Sequence, residues 1–213
     1  TNKKGKLTIQ GGSFHDNRAT GNSGGVFVTS GEVEITGGTY YKNTAKLYGG
    51  VANISSAKAT VSNAVIYDNS VTGANNGGAF YISKACKLTL TNCNIYDNKS
   101  KTYPVDITVG ANSILDLNDN VNVGVVKRGD KTTAKVNVLT EYTGSIVLIP
   151  YANQKPAVGT DSLVIFDASL SDEARRSSAA RMTVRLVDET KTPYVYDDIT
   201  YCVDSDGVVQ NRK

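Results

Sequence analysis

The side chains best suited to binding chemistry in this 213-residue chain are four aromatic rings that recur at one position of a repeated motif. They are His15, Tyr41, Tyr67 and Tyr96. Tyrosine joins a rigid apolar ring to a polar hydroxyl, so it offers contact area at a small entropy cost. We therefore take these four residues as the candidate ligand-binding strip, for a sugar or a protein. The alternative is cross-strand ring stacking that stabilises a sheet.

Two polar series follow the aromatic position. The position two residues further on is always asparagine: Asn17, Asn43, Asn69 and Asn98. The intervening position holds Asp16, Lys42, Asp68 or Asp97. Asparagine at a turn bonds to backbone groups of adjacent coils, which is a structural role. Because a lysine interrupts the carboxylates, calcium is only weakly favoured near Asp68 and Asp97, and we expect neither a metal nor an organic cofactor.

The sequence gives little support for catalytic chemistry. Three cysteines and one histidine form no CxxC pair, no even disulfide framework and no His-rich metal site. Cys86 and Cys93 replace glycine or alanine of the other repeats, which predicts free, packed thiols. The adjacent acidic pair Asp197–Asp198 lies outside the repeats, and no cluster resembles the carboxylates of polysaccharide-cleaving enzymes. We therefore expect no catalytic residues.

The aromatic position belongs to a segment that occurs four times. The copies cover residues 7–17, 33–43, 59–69 and 88–98, so they start 26, 26 and 29 residues apart. Two glycines followed by mainly apolar residues form a second motif, at residues 24–28, 49–53 and 77–81. Apolar residues alternate within each copy, as at Leu7 and Ile9, which predicts strands. So short a unit can hardly bury a face alone, and the copies must stack as a parallel β-helix.

Stacking places equivalent residues in ladders at the ordinary strand spacing. One predicted inward ladder is Ile9, Ile35, Val61 and Leu90, and another is Phe14, Tyr40, Ile66 and Ile95. Side chains alternate along a strand, so the residue after each member of the second ladder faces outward. That residue is the aromatic one, and an outward aromatic column is the result.

After Asn98 the pattern decays, with a degenerate fifth coil at residues 114–117 that ends near Val123. Strand candidates follow at residues 135–138, 144–149, 162–166, 183–187 and 194–196. Ser171 is the expected N-cap of one short helix, with Asp172 and Glu173 in its first turn. We divide the chain into β-helix repeats, 1–126, and a mostly-β region, 127–213, that caps the open end. Arg175, Arg176, Arg181 and Arg185 are interpreted as a solvated face in preference to a surface for an acidic partner.

The charge and hydropathy of the sequence argue against two kinds of partner, nucleic acid and the membrane interior. A formal net charge of +3 is too small and too dispersed for nucleic acid. No run of 18 apolar residues is present, so we expect no insertion into a membrane by this fragment. The chain does not begin with Met, and we take it as a piece of a longer protein.

The paired motifs resemble the FxxN and GGA(I/L) repeats of chlamydial polymorphic membrane adhesins. They are also similar to β-helix regions of large surface proteins of Gram-positive gut bacteria, in which a Ser-Asp-Gly strand like residues 204–207 recurs. The resemblance covers residues 5 to about 109 and implies a right-handed β-helix, here of about five coils. It further implies a secreted, cell-surface module that binds a host glycan, glycoprotein or immunoglobulin. A polysaccharide-acting β-helix enzyme and a passive spacer stalk are the alternatives.

Overall fold

A computed structural model describes residues 5–21, 25–29, 31–55, 58–74, 76–130, 132–188, 191 and 195–212, and only the backbone of 27–29 and 197–199. Gly24 and Tyr194, and the side chains of Asp197 and Asp198, which the sequence interpretation used, lie outside this description. Within it the chain forms 24 strands, one α-helix and a 3-10 turn at Tyr151–Asn153.

Four sheets contain all these strands, and their members come from successive turns of the chain. The first sheet contains β1 (Lys6–Ile9), β5 (Glu32–Ile35), β9 (Ala59–Ser62), β13 (Lys87–Thr91), β16 (Ile114–Asn118), β19 (Lys135–Val138) and β21 (Val164–Phe166). The second contains β2 (Ser13–His15), β6 (Thr39–Tyr41), β10 (Val65–Tyr67), β14 (Asn94–Tyr96) and β17 (Asn122–Val123). The third contains β3 (Arg18–Ala19), β7 (Thr44–Ala45) and β11 (Ser70–Val71).

The fourth sheet is the largest. It contains β4 (Phe27–Thr29), β8 (Ala52–Ile54), β12 (Phe80–Ile82), β15 (Ile107–Val109), β18 (Val125–Arg128), β20 (Ile146–Ile149), β22 (Met182–Asp188), β23 (Val195–Val203) and β24 (Val209–Asn211). All pairings are parallel except β22 with β23 and β23 with β24.

The predicted all-β, parallel β-helix fold is confirmed. Seven strands in the first sheet mark six complete turns, one more than the five or so expected. No sequence motif marks the additional turn, because the asparagine series ends at Asn98, after β14, and the double glycine does not recur after Gly78. Strands of the first and fourth sheets nevertheless continue to stack. Parallel pairing thus crosses residue 126, and the division of the chain at that residue stays a prediction.

The register confirms both inward ladders. Ile9 pairs with Ile35, which pairs with Val61, and Val61 pairs with Leu90. The second ladder is in register from Phe14 in β2 to Val123 in β17. Apart from the first coil, the members of both ladders are buried and form one continuous core.

Close contact between coils explains the double glycine. Between coils, a Cβ atom on Gly77 would lie 2.6 Å from the backbone nitrogen of Thr108, and one on Gly78 would lie 2.3 Å from the backbone nitrogen of Lys99. Any side chain at these positions would push the backbone of adjacent coils apart.

The fourth coil departs from this plan. Its residues 99–105, which we call the arm, replace the double glycine. Tyr103 and Val105 of the arm are buried with Val125 and Ile149 of the fourth sheet, in a cluster separate from the main core. In the fifth coil the chain passes from β17 to β18 through Gly124 alone.

The C-terminal residues close the solenoid, as the predicted cap requires. Helix α1 (Asp172–Ala180) follows β21, and the side chain of Ser171 accepts a hydrogen bond from Ala174 N at 3.2 Å, which confirms the predicted N-cap. The turn between β23 and β24 reaches the first sheet, where Gly207 O accepts from Leu163 N at 3.1 Å. Tyr201 and Val209 of this hairpin lie in the core, so the end of the solenoid is covered.

Candidate functional site

The predicted aromatic column forms along the second sheet. Its rings are stacked: His15 and Tyr41 lie 4.8 Å apart between centroids, Tyr41 and Tyr67 5.3 Å, and Tyr67 and Tyr96 5.5 Å, with interplanar angles of 16°, 5° and 8°. Tyr40, one residue before Tyr41, is fully buried, whereas the tyrosines of the column are half-buried and His15 is exposed. The column therefore faces outward, as predicted.

Stacking determines which part of the column a ligand can reach. Both faces of the Tyr41 and Tyr67 rings are covered by neighbouring rings, so these residues present ring edges and hydroxyl groups. Tyr96 differs, because the register places Gly124 beside it in the next coil. A sugar could thus pack on a ring face only at the ends of the column, whereas along its length it would meet hydroxyl groups. The rings are therefore stacked, as the alternative interpretation predicted. Each stacked pair of rings stabilises the fold by about 0.5–1.5 kcal/mol.

The residue after each ring has a backbone role. Asp16, Lys42, Asp68 and Asp97 all adopt left-handed conformations, with φ between 53° and 56°. Aspartate is among the few residue types that tolerate this region of backbone space. The repeated aspartate is thus explained by the corner of the coil, and among the described residues no three His, Cys, Asp or Glu side chains are grouped to hold a metal ion.

The asparagine series forms a buried hydrogen-bonded ladder. Asn69 Oδ1 accepts from the backbone nitrogen of Asn43 at 3.0 Å and from Asn43 Nδ2 at 2.9 Å, and Asn69 Nδ2 in turn donates to Asn98 Oδ1 at 2.8 Å. Asn69 Nδ2 also donates to the carbonyl oxygen of Tyr40 at 2.9 Å. The ladder holds the corners of successive coils together, directly behind the aromatic column.

Asp106 ends this ladder, and the sequence interpretation missed it. Its Oδ1 accepts from the backbone nitrogen and Nδ2 of Asn98, at 3.1 and 2.8 Å, and its Oδ2 accepts from Val125 N at 2.7 Å. Burial raises the pKa of Asp106 to about 6, although these hydrogen bonds oppose the shift. The only signal in the sequence was an aspartate eight residues after Asn98, in a coil without double glycine.

A cleft of about 590 Å³ lies between the arm and the middle of the column. It is lined by Tyr67, Asp68, Asp97, Lys99, Ser100, Lys101, Thr102, Tyr103 and Pro104. Asp68, Asp97, Lys99 and Lys101 are exposed, so the cleft presents two carboxylates and two ammonium groups. These groups can donate and accept hydrogen bonds with a ligand rich in hydroxyl groups.

The cleft depends on the irregular arm. Tyr103 is buried, and its hydroxyl oxygen accepts from Lys127 Nζ at 2.9 Å. This contact and the packing of Val105 hold the arm against the fourth sheet, away from the second. Of the predicted strip, Tyr67 alone lines the cleft. The sequence marked the arm only as a break in the repeat.

The remaining candidates do not join this site. Cys86, Cys93 and Cys202 are free, and burial raises the pKa of the Cys93 thiol. Arg185 stacks on the Tyr196 ring, with its guanidinium carbon 4.5 Å from the centroid, and Arg175 donates to the carbonyl oxygen of Ala168 at 3.2 Å. These two arginines are engaged within the cap.

In the described part of the chain no helix is both long and apolar enough to cross a membrane. Comparisons of the chain with protein-family models, with curated proteins and with solved structures found no match.

Proposed function

We propose that this chain is a non-catalytic, extracellular binding module of a bacterial surface protein, and that it holds a host glycan or the glycan of a glycoprotein. The observation that carries the proposal is the cleft beside Tyr67. It combines a tyrosine edge with carboxylate, ammonium and hydroxyl groups on a rigid coil scaffold. Glycans are recognised by such sets of polar groups next to an aromatic ring.

Three features support this assignment. The cleft is open and lined by four exposed charged side chains, which suit a hydroxyl-rich ligand better than an apolar one. The column extends the contact surface along the axis, because its hydroxyl groups recur in the second, third and fourth coils. The resemblance of the repeats to those of surface adhesins is the support for the cell-surface location and for a host partner.

The alternative of a polysaccharide-cleaving enzyme would use Asp68 and Asp97 as acid and base. Both are exposed, and both occupy left-handed corner positions where aspartate has a backbone reason to occur. We therefore assign them to ligand contact and not to catalysis. The other alternative is a spacer stalk, which would bind no ligand.

A glycan array probed with the whole chain, followed by titration calorimetry of the best glycan, tests the proposal. Tyr67→Ser and Lys101→Ala should each weaken binding about tenfold, because each removes a contact in the cleft without opening a core cavity. Tyr81→Ser is the matched control, since Tyr81 is a half-buried tyrosine on the fourth sheet that packs on Tyr48, away from the cleft.

Circular dichroism must show that all three variants keep the parent's fold. Equal affinities of the two cleft variants and the parent would contradict the assignment of the cleft. An array without any bound glycan or glycoprotein would favour the spacer stalk.

A further inference from the structure

The N-terminal end of the solenoid is a surface of a different kind from the cleft. The strands β1, β2, β3 and β4 are each the last member of their sheet. Interior strands pair on both sides, whereas within the described residues these four pair on one side only. Unpaired backbone groups along a sheet edge are a template for another strand.

Apolar side chains of the first coil are correspondingly less covered than those of the second. Ile35 and Tyr40 in the second coil are 1% and 0% exposed. Their counterparts in the first coil, Ile9 and Phe14, are only half-buried. Phe14 stacks on Tyr40 with its centroid 4.9 Å away and an interplanar angle of 3°, which leaves its other face toward the end of the solenoid.

The hydrogen bonds between the asparagines of the ladder all run in one direction, from each coil to the next. In each interior coil Oδ1 accepts two hydrogen bonds from the preceding coil, as Asn43 Oδ1 does from the backbone nitrogen and Nδ2 of Asn17, at 3.1 and 2.8 Å. Asn17 Oδ1 has no such donors among the described residues, and Asn17 is exposed. The first coil therefore offers an acceptor where each later coil is already bonded.

A second copy of the chain does not fit this end. Two copies related by a two-fold axis would present the same surface to each other. Their chains would then circulate in opposite directions, so facing strands would be antiparallel and both copies would offer Asn17 as an acceptor. Nor can the opposite end of another copy stack here, because the hairpin that contains Val209 covers it.

We propose that the N-terminal end docks one further coil of the same repeat, in parallel register, whose asparagine donates its backbone and side-chain N–H groups to Asn17 Oδ1. The ring that precedes this asparagine in the docked coil stacks on Phe14, and its alternating apolar residues cover Leu7 and Ile9. The occupant is thus a strand-turn-strand segment with an aromatic residue three positions before an asparagine.

The test is a chain in which residues 32–57 are duplicated directly before Lys6, which preserves the 26-residue spacing between β1 and β5. Hydrogen exchange should slow at least tenfold at amides of Lys6–Ile9 and Ser13–His15, because their coil gains a neighbour. Amides of Lys87–Thr91 report on the intact remainder of the fold and should not change. A steeper urea dependence of unfolding should accompany the added buried surface.

The matched control carries Asn43→Leu in the duplicated copy only, and it should lose most of the added protection. Equal protection in the two extended chains would overturn the role of Asn17, and unchanged exchange in both would overturn the docking surface. Sedimentation equilibrium of the parent chain tests whether a second copy of the chain occupies this end. A dimer that protects Lys6–Ile9 would assign this end to a second copy and would also overturn the proposal.

Discussion

At its C-terminal end the solenoid is closed by a helix and an antiparallel hairpin, whereas at its N-terminal end the four parallel sheets stop at β1 to β4. The amide ladder shows the same contrast. On the C-terminal side the ladder ends at Asp106, whose carboxylate accepts hydrogen bonds and has no N–H group to donate. On the N-terminal side the ladder ends at Asn17, whose acceptor oxygen lies at the exposed end of the solenoid. A repeat that stacks on itself has no intrinsic stop, so the closed end requires residues that lie outside the repeat.

The largest difference between the ends should appear in their aromatic core residues. Tyr201→Ala at the closed end should cost about 3–5 kcal/mol of unfolding free energy, because it opens a cavity beneath the hairpin. Phe14→Ala at the open end should cost less than half as much, since Phe14 is only half-buried. Urea unfolding of both variants measures the ratio.

Tyr201→Phe is the control for the cavity. The Tyr201 hydroxyl is buried without a hydrogen-bond partner among the described residues, so its removal should be neutral or slightly stabilising. Equal losses for Tyr201→Ala and Phe14→Ala would show that the two ends are equally covered.

The amide ladder should show a smaller contrast. Asn69→Ala should cost about 3 kcal/mol, because the backbone and side-chain N–H groups of Asn43 lose their buried acceptor. Asn17→Ala should cost less than about 1 kcal/mol, since the Asn17 side chain accepts no hydrogen bond from the residues that the structure describes. Thermal and urea unfolding measure both, and similar losses would contradict the proposed polarity of the ladder.

The smallest effect concerns the carboxyl group that ends the ladder. The folded-state pKa of Asp106 is raised from 3.8 to about 6, so folding favours the protonated form. The contribution of Asp106 is fully present below its unfolded pKa and is lost as pH rises through about 6. Between pH 4 and pH 7 the free energy of unfolding should therefore fall by about 2 kcal/mol on this account.

Asp106→Asn isolates that contribution, because the amide does not titrate. The parent should lose stability relative to the variant from pH 4 to pH 7, in urea midpoints measured at several pH values. If the difference between the two proteins is constant with pH, Asp106 does not titrate in this range.

The sequence by itself determined the repeated part of this protein. Alternating apolar residues, the recurring aromatic-x-Asn motif and the double glycine each describe one coil, and a ladder follows once coils stack in register. The inward ladders, the outward direction of Tyr41, Tyr67 and Tyr96, and the Ser171 N-cap were therefore predictable from local pattern. Their spacing also predicted the column, and the stacking of its rings was one of the two interpretations that the sequence left open.

Only the tertiary structure determined the conformation and contacts of the segments that lack the repeat motifs. The turn through β19 and β20 follows from stacking on a preceding coil, and no motif in those strands marks it. The cleft exists because Tyr103 and Val105 pack on the fourth sheet, and Asp106 is buried because Gly124 alone separates Val125 from β17. These contacts join residues from different coils through unique side chains, and a periodic pattern carries information only about positions that repeat.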